Sequence, residues 1–215
     1  MIRTLYEVFR PWSSKGAVWI LSDLHLGDAA AKAMDPAWPD PEEQVNIINR
    51  LAGRNDTFVC LGDVGDPAYA AKIRAGHKVL ILGNHDRRRD YEGIFDEIYA
   101  GPLFISERIL LSHEPVPGLP FCLNIHGHDH FGTEQYTEGC RYLNLAANVR
   151  GYMPFNLGKA LQEGLLSGID SIHRITIDTA AERKKQREAE KGKACGPFPA
   201  ENEERTDVKN VHAVL

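Results

Sequence analysis

The chain alternates short apolar runs with helical stretches. Residues 17–23, AVWILSD, read as a buried strand that stops at polar residues. PEEQVNIINRLA, starting at Pro41, opens with proline and acids and then places Val45, Ile48 and Leu51 on one face, the signature of a helix. DTFVCLGD is a second strand, PAYAAKIRAG a helix begun by Pro67 and ended by Gly76, and HKVLILGNHD a third strand. ERILLSHEP, FCLNIHGHDH and CRYLNLAAN follow as strands with little helix between them, and SIHRITID is expected as the last strand. This order, βαβαβ and then a run of strands, predicts a layered α/β protein with a mixed sheet. From Thr179 the pattern fades: AAERKKQREAEKGK is almost wholly polar, with good helix formers but no core-facing stripe. The expected organisation is one domain over residues 1–179 and a charged helical or extended tail over 180–215, with no repeat.

Composition narrows the classes without naming one. A length of 215 residues suits one sizeable domain. The formal net charge of -5 and a pI near 6.0 argue against strong nucleic-acid binding, which needs a basic face, while leaving room for a locally basic pocket. The longest apolar run, Ala17 to Leu21, is far too short to cross a bilayer, and MIRTLYEVFRPWSS lacks the apolar segment of a secretory signal. Cys60, Cys122, Cys140 and Cys195 form no C-x-x-C pair, so neither a zinc ribbon nor a redox motif is indicated. Reduced thiols in a cytoplasmic protein are the expectation.

The chemistry lies where the strands end. The first stops at Ser22 and delivers Asp23 and His25; the second delivers Asp63; the third delivers Asn84, His85 and Asp86. SHEP supplies His113, and GHDH supplies His128 and His130. Ligands of open α/β sheets collect at the carboxyl ends of strands. Carboxylate and imidazole together suit borderline divalent metals such as Mn, Fe, Zn or Co. In D-x-H and H-x-H, residues i and i+2 share one side of an extended chain. Glycine precedes Asp63, Asn84 and His128, where it permits a tight turn and the close approach of a metal or substrate. Six of the nine histidines fall in these clusters, and His77, His173 and His212 read as ordinary surface or core residues.

The ordered set D-x-H, G-D, G-N-H-D, H, G-H-x-H between Ser22 and His130 resembles the calcineurin-like metallophosphoesterase superfamily, and YLNLAANVRGYMPFNLGKAL is similar to the segment after the last motif in its short, single-domain members. The resemblance implies a two-sheet mixed β-sandwich flanked by helices, with two metals at one edge. It implies Asp23, His25 and His130 on the first metal, Asp63 bridging, and Asn84, His113 and His128 completing the second. His85 would face the scissile phosphate and protonate the leaving group or stabilise the transition state. His126 lies outside the usual ligand set and either supports the site from behind the ligands or is plainly structural.

One departure matters. The protein Ser/Thr phosphatases of the superfamily continue the second motif as G-D-x-x-D-R-G, whereas GDVGDPA keeps Asp66 but carries Pro67 at the arginine position. Asp66 could pair with His85 as a second catalytic residue or simply cap the following helix. The implied activity is hydrolysis of a phosphodiester or phosphomonoester by a metal-bridging hydroxide, on a small anionic substrate such as a nucleotide. Arg87 to Arg89 could draw that anion in or form a solvated face. The alternatives are a non-catalytic scaffold of the same fold and a nuclease acting on short oligonucleotides; a homodimer is compatible with the tail.

Overall fold

The computed structural model describes residues 1–119, 121–132, 134–137 and 140–193. Ten strands are present: Val18–Leu21 (β1), Thr57–Cys60 (β2), His77–Ile81 (β3), Glu97–Tyr99 (β4), Leu103–Ser106 (β5), Ile109–Leu111 (β6), Leu123–His126 (β7), Glu134–Thr137 (β8), Cys140–Asn144 (β9) and Phe155–Asn156 (β10). Six α-helices accompany them: Ala29–Met34 (α1), Pro41–Leu51 (α2), Pro67–Ala70 (α3), Arg88–Tyr91 (α4), Leu157–Gln162 (α5) and Ile172–Lys193 (α6). A 3₁₀ turn over Glu7–Ser13 precedes β1.

The first sheet has the order β10-β1-β2-β3-β4, with β1 to β4 parallel and β10 antiparallel to β1. Its central strands are apolar on both faces, as parallel strands covered on both sides must be. Val18, Ile20, Val59, Leu61, Val79 and Ile81 point into one core, while Leu21, Phe58, Cys60 and Leu80 point into another. The second sheet has the order β5-β6-β7-β9-β8, parallel in the middle and antiparallel at both edges. Ile105, Ile109, Leu111, Leu123, Ile125 and Leu143 share the first core with the first sheet, so this core fills the space between the sheets. The second core lies under the helices, where Val45 and Ile48 of α2 join Ala31, Trp38, Ala70 and Ile73. The molecule is therefore an α/β fold of two mixed sheets flanked by helices.

Two local expectations are corrected. SIHRITID is the start of helix α6 rather than a strand: Ser171 Oγ accepts the Arg174 N–H as an N-cap, and Ile172 and Ile175 have helical spacing although Ile175 and Ile177 also fit a strand. The helix opened by Pro67 ends at Ala70, because Lys72 and Ile73 donate to carbonyls three residues back and tighten the chain into turns before Gly76. On α2 the buried face is Gln44, Val45 and Ile48, with Leu51 half-buried. Several elements carried too little pattern to be foreseen, among them α1, the three-residue β4 and the two-residue β10.

Residues 1–176 form one compact unit and residues 177–215 a second. The described part of the second, residues 177–193, is helical and polar; Lys184 and Glu188 form an i,i+4 pair at 3.9 Å. His212 and Cys195 lie outside the described residues, as does most of the extension expected after the charged helix.

Candidate metal centre

The two sheets meet beyond the carboxyl end of β1. Ser22 pairs with Ala146 in a single parallel bridge: Ser22 N–H donates to Leu145 O and Ala147 N–H donates to Ser22 O, both at 2.9 Å. The next residues run along the exit of β2, with Asp23 N–H donating to Gly62 O and His25 N–H to Asp63 O. The exits of β6 and β7 join through Gly127 N–H donating to His113 O. Strand ends distant in sequence are thus sewn into one rim by main-chain hydrogen bonds.

Asp23, His25 and His130 each bring a ligand atom within 4.8 Å of the others'. The Asp23 carboxylate is fully buried; its Oδ2 accepts the His128 N–H at 2.8 Å, while Oδ1 has no hydrogen-bond partner. His25 Nε2 is likewise buried and makes no hydrogen bond. Asn148 donates from Nδ2 to His130 O and so must accept, through Oδ1 at 2.9 Å, the proton on His130 Nδ1. That fixes the tautomer and leaves His130 Nε2 a lone pair, 3.9 Å from Asp23 Oδ1. The ring of Trp38 packs edge-on against both His25 and His130, at 5.8 and 6.0 Å between centroids, and Trp38 packs in turn on Tyr152. Tyr152 hydroxyl donates to Asp35 Oδ2 at 2.6 Å, and burial followed by this bond raises its pKa.

A second group contains Asp63, His113 and His128, again with ligand atoms within 4.8 Å. His113 Nδ1 donates to Leu61 O at 2.8 Å, so its Nε2 carries the lone pair. That atom lies 2.8 Å from Asn84 Oδ1, 3.1 Å from His128 Nδ1 and 3.5 Å from Asp63 Oδ2. Asp63 Oδ2 is also 3.9 Å from His25 Nε2, so one carboxylate oxygen faces both groups. Electron-pair donors crowded around shared points, with buried lone pairs left over, fit divalent cations of the N/O-liganded kind.

His85 stands differently. Its side chain is 69% exposed, with Nε2 4.0 Å from Asp63 Oδ2, while its backbone N–H donates to Asp63 Oδ1 at 3.0 Å. It lines a cleft of about 310 Å³ together with His25, Asp28, Asp66, Asp90 and Tyr91. Asp66 takes the helix-capping alternative: its Oδ1 accepts the Ala68 N–H at 2.8 Å, and among the described residues it makes no hydrogen bond to His85. Its extended backbone just before Pro67 turns the carboxylate onto the first turn of α3.

The backbone is strained at the candidate ligands themselves. Among the described residues, the non-glycine positions with positive φ are Asp23, His25, Asp63, His128 and Tyr152. The left-handed conformation costs on the order of 1–2 kcal/mol for such residues and persists only where the surroundings enforce it. The glycines before these residues also allow close packing of one loop on another, and Gly62 takes the left-handed backbone of a tight turn. A Cβ on Gly83 would lie 2.6 Å from Asp63 N, and one on Gly127 would overlap Ser22 Oγ and Asp23 Oδ2. Each lets one ligand loop press against another.

Several residues that buttress the centre were given no role by the sequence, although Ser22 and Asp86 lie within its motifs. Asp86 accepts the backbone N–H groups of Asp63, Val64 and Gly83 at 2.8–3.0 Å, tying the second and third strand exits together. Asn148, Trp38 and Ser22 act through contacts that only folding creates. His126 is buried beside these loops; its Nδ1 donates to Gly127 O, and burial pushes its pKa down. Of the arginine run, Arg88 donates to Ile98 O and Arg89 pairs with Asp90 at 3.6 Å. His77 is bound to Glu97, and His173 pairs with Glu107, both away from the centre.

Two helix-flanked mixed sheets gather carboxylates and imidazoles at their strand exits. A model of the calcineurin-like phosphoesterase family matches residues 16–152, and the chain belongs to that family. The gene 66 protein of Mycobacterium phage D29 is 36% identical over 81 residues, covering 33% of this chain and 40% of that protein's length. Among solved structures, a protein of unknown function from Aquifex aeolicus superposes with a TM-score of 0.55 at 22% identity, covering 68% of this chain and 98% of that one. Yfce, a phosphoesterase from E. coli, gives a TM-score of 0.41 at 18% identity over 59% of this chain and 77% of that one. Among the described residues, no helix is long and apolar enough to cross a membrane.

Proposed function

We propose that the chain is a two-metal phosphoesterase acting on a small anionic phosphodiester or phosphomonoester. The observation that carries this reading is the pair of convergent donor groups sharing Asp63, with Asp23 Oδ1 and His25 Nε2 buried and otherwise unpartnered. Asp23, His25 and His130 would hold one cation, Asn84, His113 and His128 the other, and Asp63 both. Mn, Fe, Zn and Co all suit this donor set. When bound, such cations supply Lewis acidity toward the phosphoryl oxygens and a water of lowered pKa.

The chain's own residues supply the rest. Leu61 O and Asn148 hold His113 and His130 in the tautomers that present Nε2. Trp38 shields His25 and His130 from water on one side. His85, at the open mouth, would give a proton to the departing oxygen of the ester. Its main-chain bond to Asp63 Oδ1 keeps it in register with the ligands whatever its side chain does. Asp66 lines the same cleft and sets the direction of α3 beside it. The cytoplasmic location expected from the thiols belongs to this reading, supported by Cys60 and Cys122 being buried thiols.

The test is hydrolysis of bis(p-nitrophenyl) phosphate and p-nitrophenyl phosphate by the full chain with Mn, Fe or Zn, alongside metal analysis. Turnover that requires metal and disappears in Asp63→Ala supports the proposal. Full metal loading without turnover on any ester would favour the scaffold.

A further inference from the structure

The first unit holds a recess larger than the cleft at His85. A cavity of about 740 Å³ lies where Gly16, Ala17 and Val18 lead into β1, at the opposite end of that strand from Asp23. We propose that this cavity is a second binding site, for a small organic anion with an apolar body.

Three observations point there together. The volume is within the range of small-molecule sites and more than twice that of the cleft at His85. Its charged lining consists of Arg3, Arg108 and Lys159, without one carboxylate, in a chain whose formal net charge is -5. Its apolar lining comes from Ile2, Val18, Leu161 and Leu166. Cations above an apolar floor select a ligand that is anionic at one end and hydrophobic at the other.

The walls are held in place. Ile2 N–H donates to Ser13 Oγ at 2.7 Å, which pins the first residues beside β1. Arg108 donates from Nη1 to Ile169 O at 3.2 Å, which fixes its guanidinium at the rim with further N–H groups to offer. Arg3 has no ion-pair partner among the described residues. Among the described residues Lys159 pairs only with Glu163, one turn on at 3.8 Å and well exposed, a contact weak enough to yield to a ligand anion.

The experiment is isothermal titration calorimetry of the full, Mn-loaded chain with 1-octanesulfonate, an apolar anion that cannot be hydrolysed. The expected result is saturable binding of one molecule per chain. Methanesulfonate lacks the apolar body and octyl glucoside lacks the charge, so each should bind at least tenfold more weakly. The double variant Arg3→Gln/Lys159→Gln changes two exposed side chains and should weaken octanesulfonate about tenfold, the usual scale for charge-assisted contacts. Gly158→Phe offers an independent check: a Cβ there meets Ile2 Cδ1 and Asn156 Oδ1 at an ordinary 3.6 Å, and the ring would occupy the cavity and abolish binding. Binding in Asp63→Asn should equal that of the parent. Absence of saturable binding, indifference to both cavity variants, or loss in Asp63→Asn would each overturn the proposal. The last result would place the anion at the metal cleft.

Discussion

The two donor groups are built from similar side chains but held by different means. Asp23, His25 and His130 are backed by other side chains: Asn148 on one imidazole and Trp38 on both, with Trp38 braced by Tyr152. Asp63, His113, His128 and Asn84 are backed by main chain: Leu61 O holds His113, and Asp86 gathers three backbone N–H groups around the Asp63 loop. The first group is closed by an aromatic wall, whereas the second keeps His128 and Asn84 exposed. A carbonyl such as Leu61 O cannot be removed by a side-chain mutation, although Asp86 can, and a side-chain wall excludes water. The second group should therefore exchange its metal faster, and the first should be easier to damage selectively.

Asp63 is where the distinction should vanish. Asp63→Ala is expected to empty both groups and lower turnover on the order of 10⁴-fold, since both cations lose a shared ligand. Metal analysis showing one ion retained would mean that the groups are independent. His85→Ala comes next, at ~10²–10⁴-fold, with both metals kept. The loss should be smaller for nitrophenyl esters, whose leaving groups need no proton, than for esters of aliphatic alcohols. An equal loss for all esters would assign His85 to the phosphoryl oxygens instead.

Asp86→Ala attacks the main-chain brace. Leaving three N–H groups without their carboxylate should destabilise the fold by about 3 kcal/mol, seen as a lower urea midpoint with unchanged slope. Asn148→Ala and Trp38→Leu attack the side-chain wall. Each should weaken one equivalent of metal ~10–100-fold and leave the other nearly unchanged, measured by competition with a chelator. Equal weakening of both equivalents would erase the contrast drawn above.

The smallest expected effect tests a region that serves neither group. Glu97, on edge strand β4, accepts hydrogen bonds from Trp12 Nε1 and the Tyr99 hydroxyl and contacts His77 Nε2 at 2.7 Å. Burial raises its pKa, but the bonds from Tyr99, Trp12 and His77 outweigh it, and the carboxyl sits below its ordinary value of 4.5. A depressed carboxyl adds stability that is complete above its unfolded pKa and fades as pH falls through the folded one. Glu97→Gln should therefore cost about 1 kcal/mol near neutral pH, a difference that shrinks below about pH 4.5. Metal content and turnover should not change.

The sequence by itself determined the order of the main strands and the residues at their ends. Apolar runs such as VWIL and TFVC must be buried, and their polar exits bring Asp23, His25, Asp63, Asn84, His113, His128 and His130 to one edge. Those features are local, and spacing along the chain is enough to read them. Edge strands of two or three residues have no pattern to read, and SIHRITID fits both periods, so a cap at Ser171 decided for helix. Tertiary structure alone decided how the ends meet. The left-handed backbone at four candidate ligands, the close pairing of Gly83 with the Asp63 loop, and the partnerships of Asp86, Asn148 and Trp38 join residues far apart in the chain in ways that neither spacing nor composition encodes. The reason is physical: strain and buried lone pairs cost energy locally, and only a rim enforced from both sheets makes them the stable arrangement.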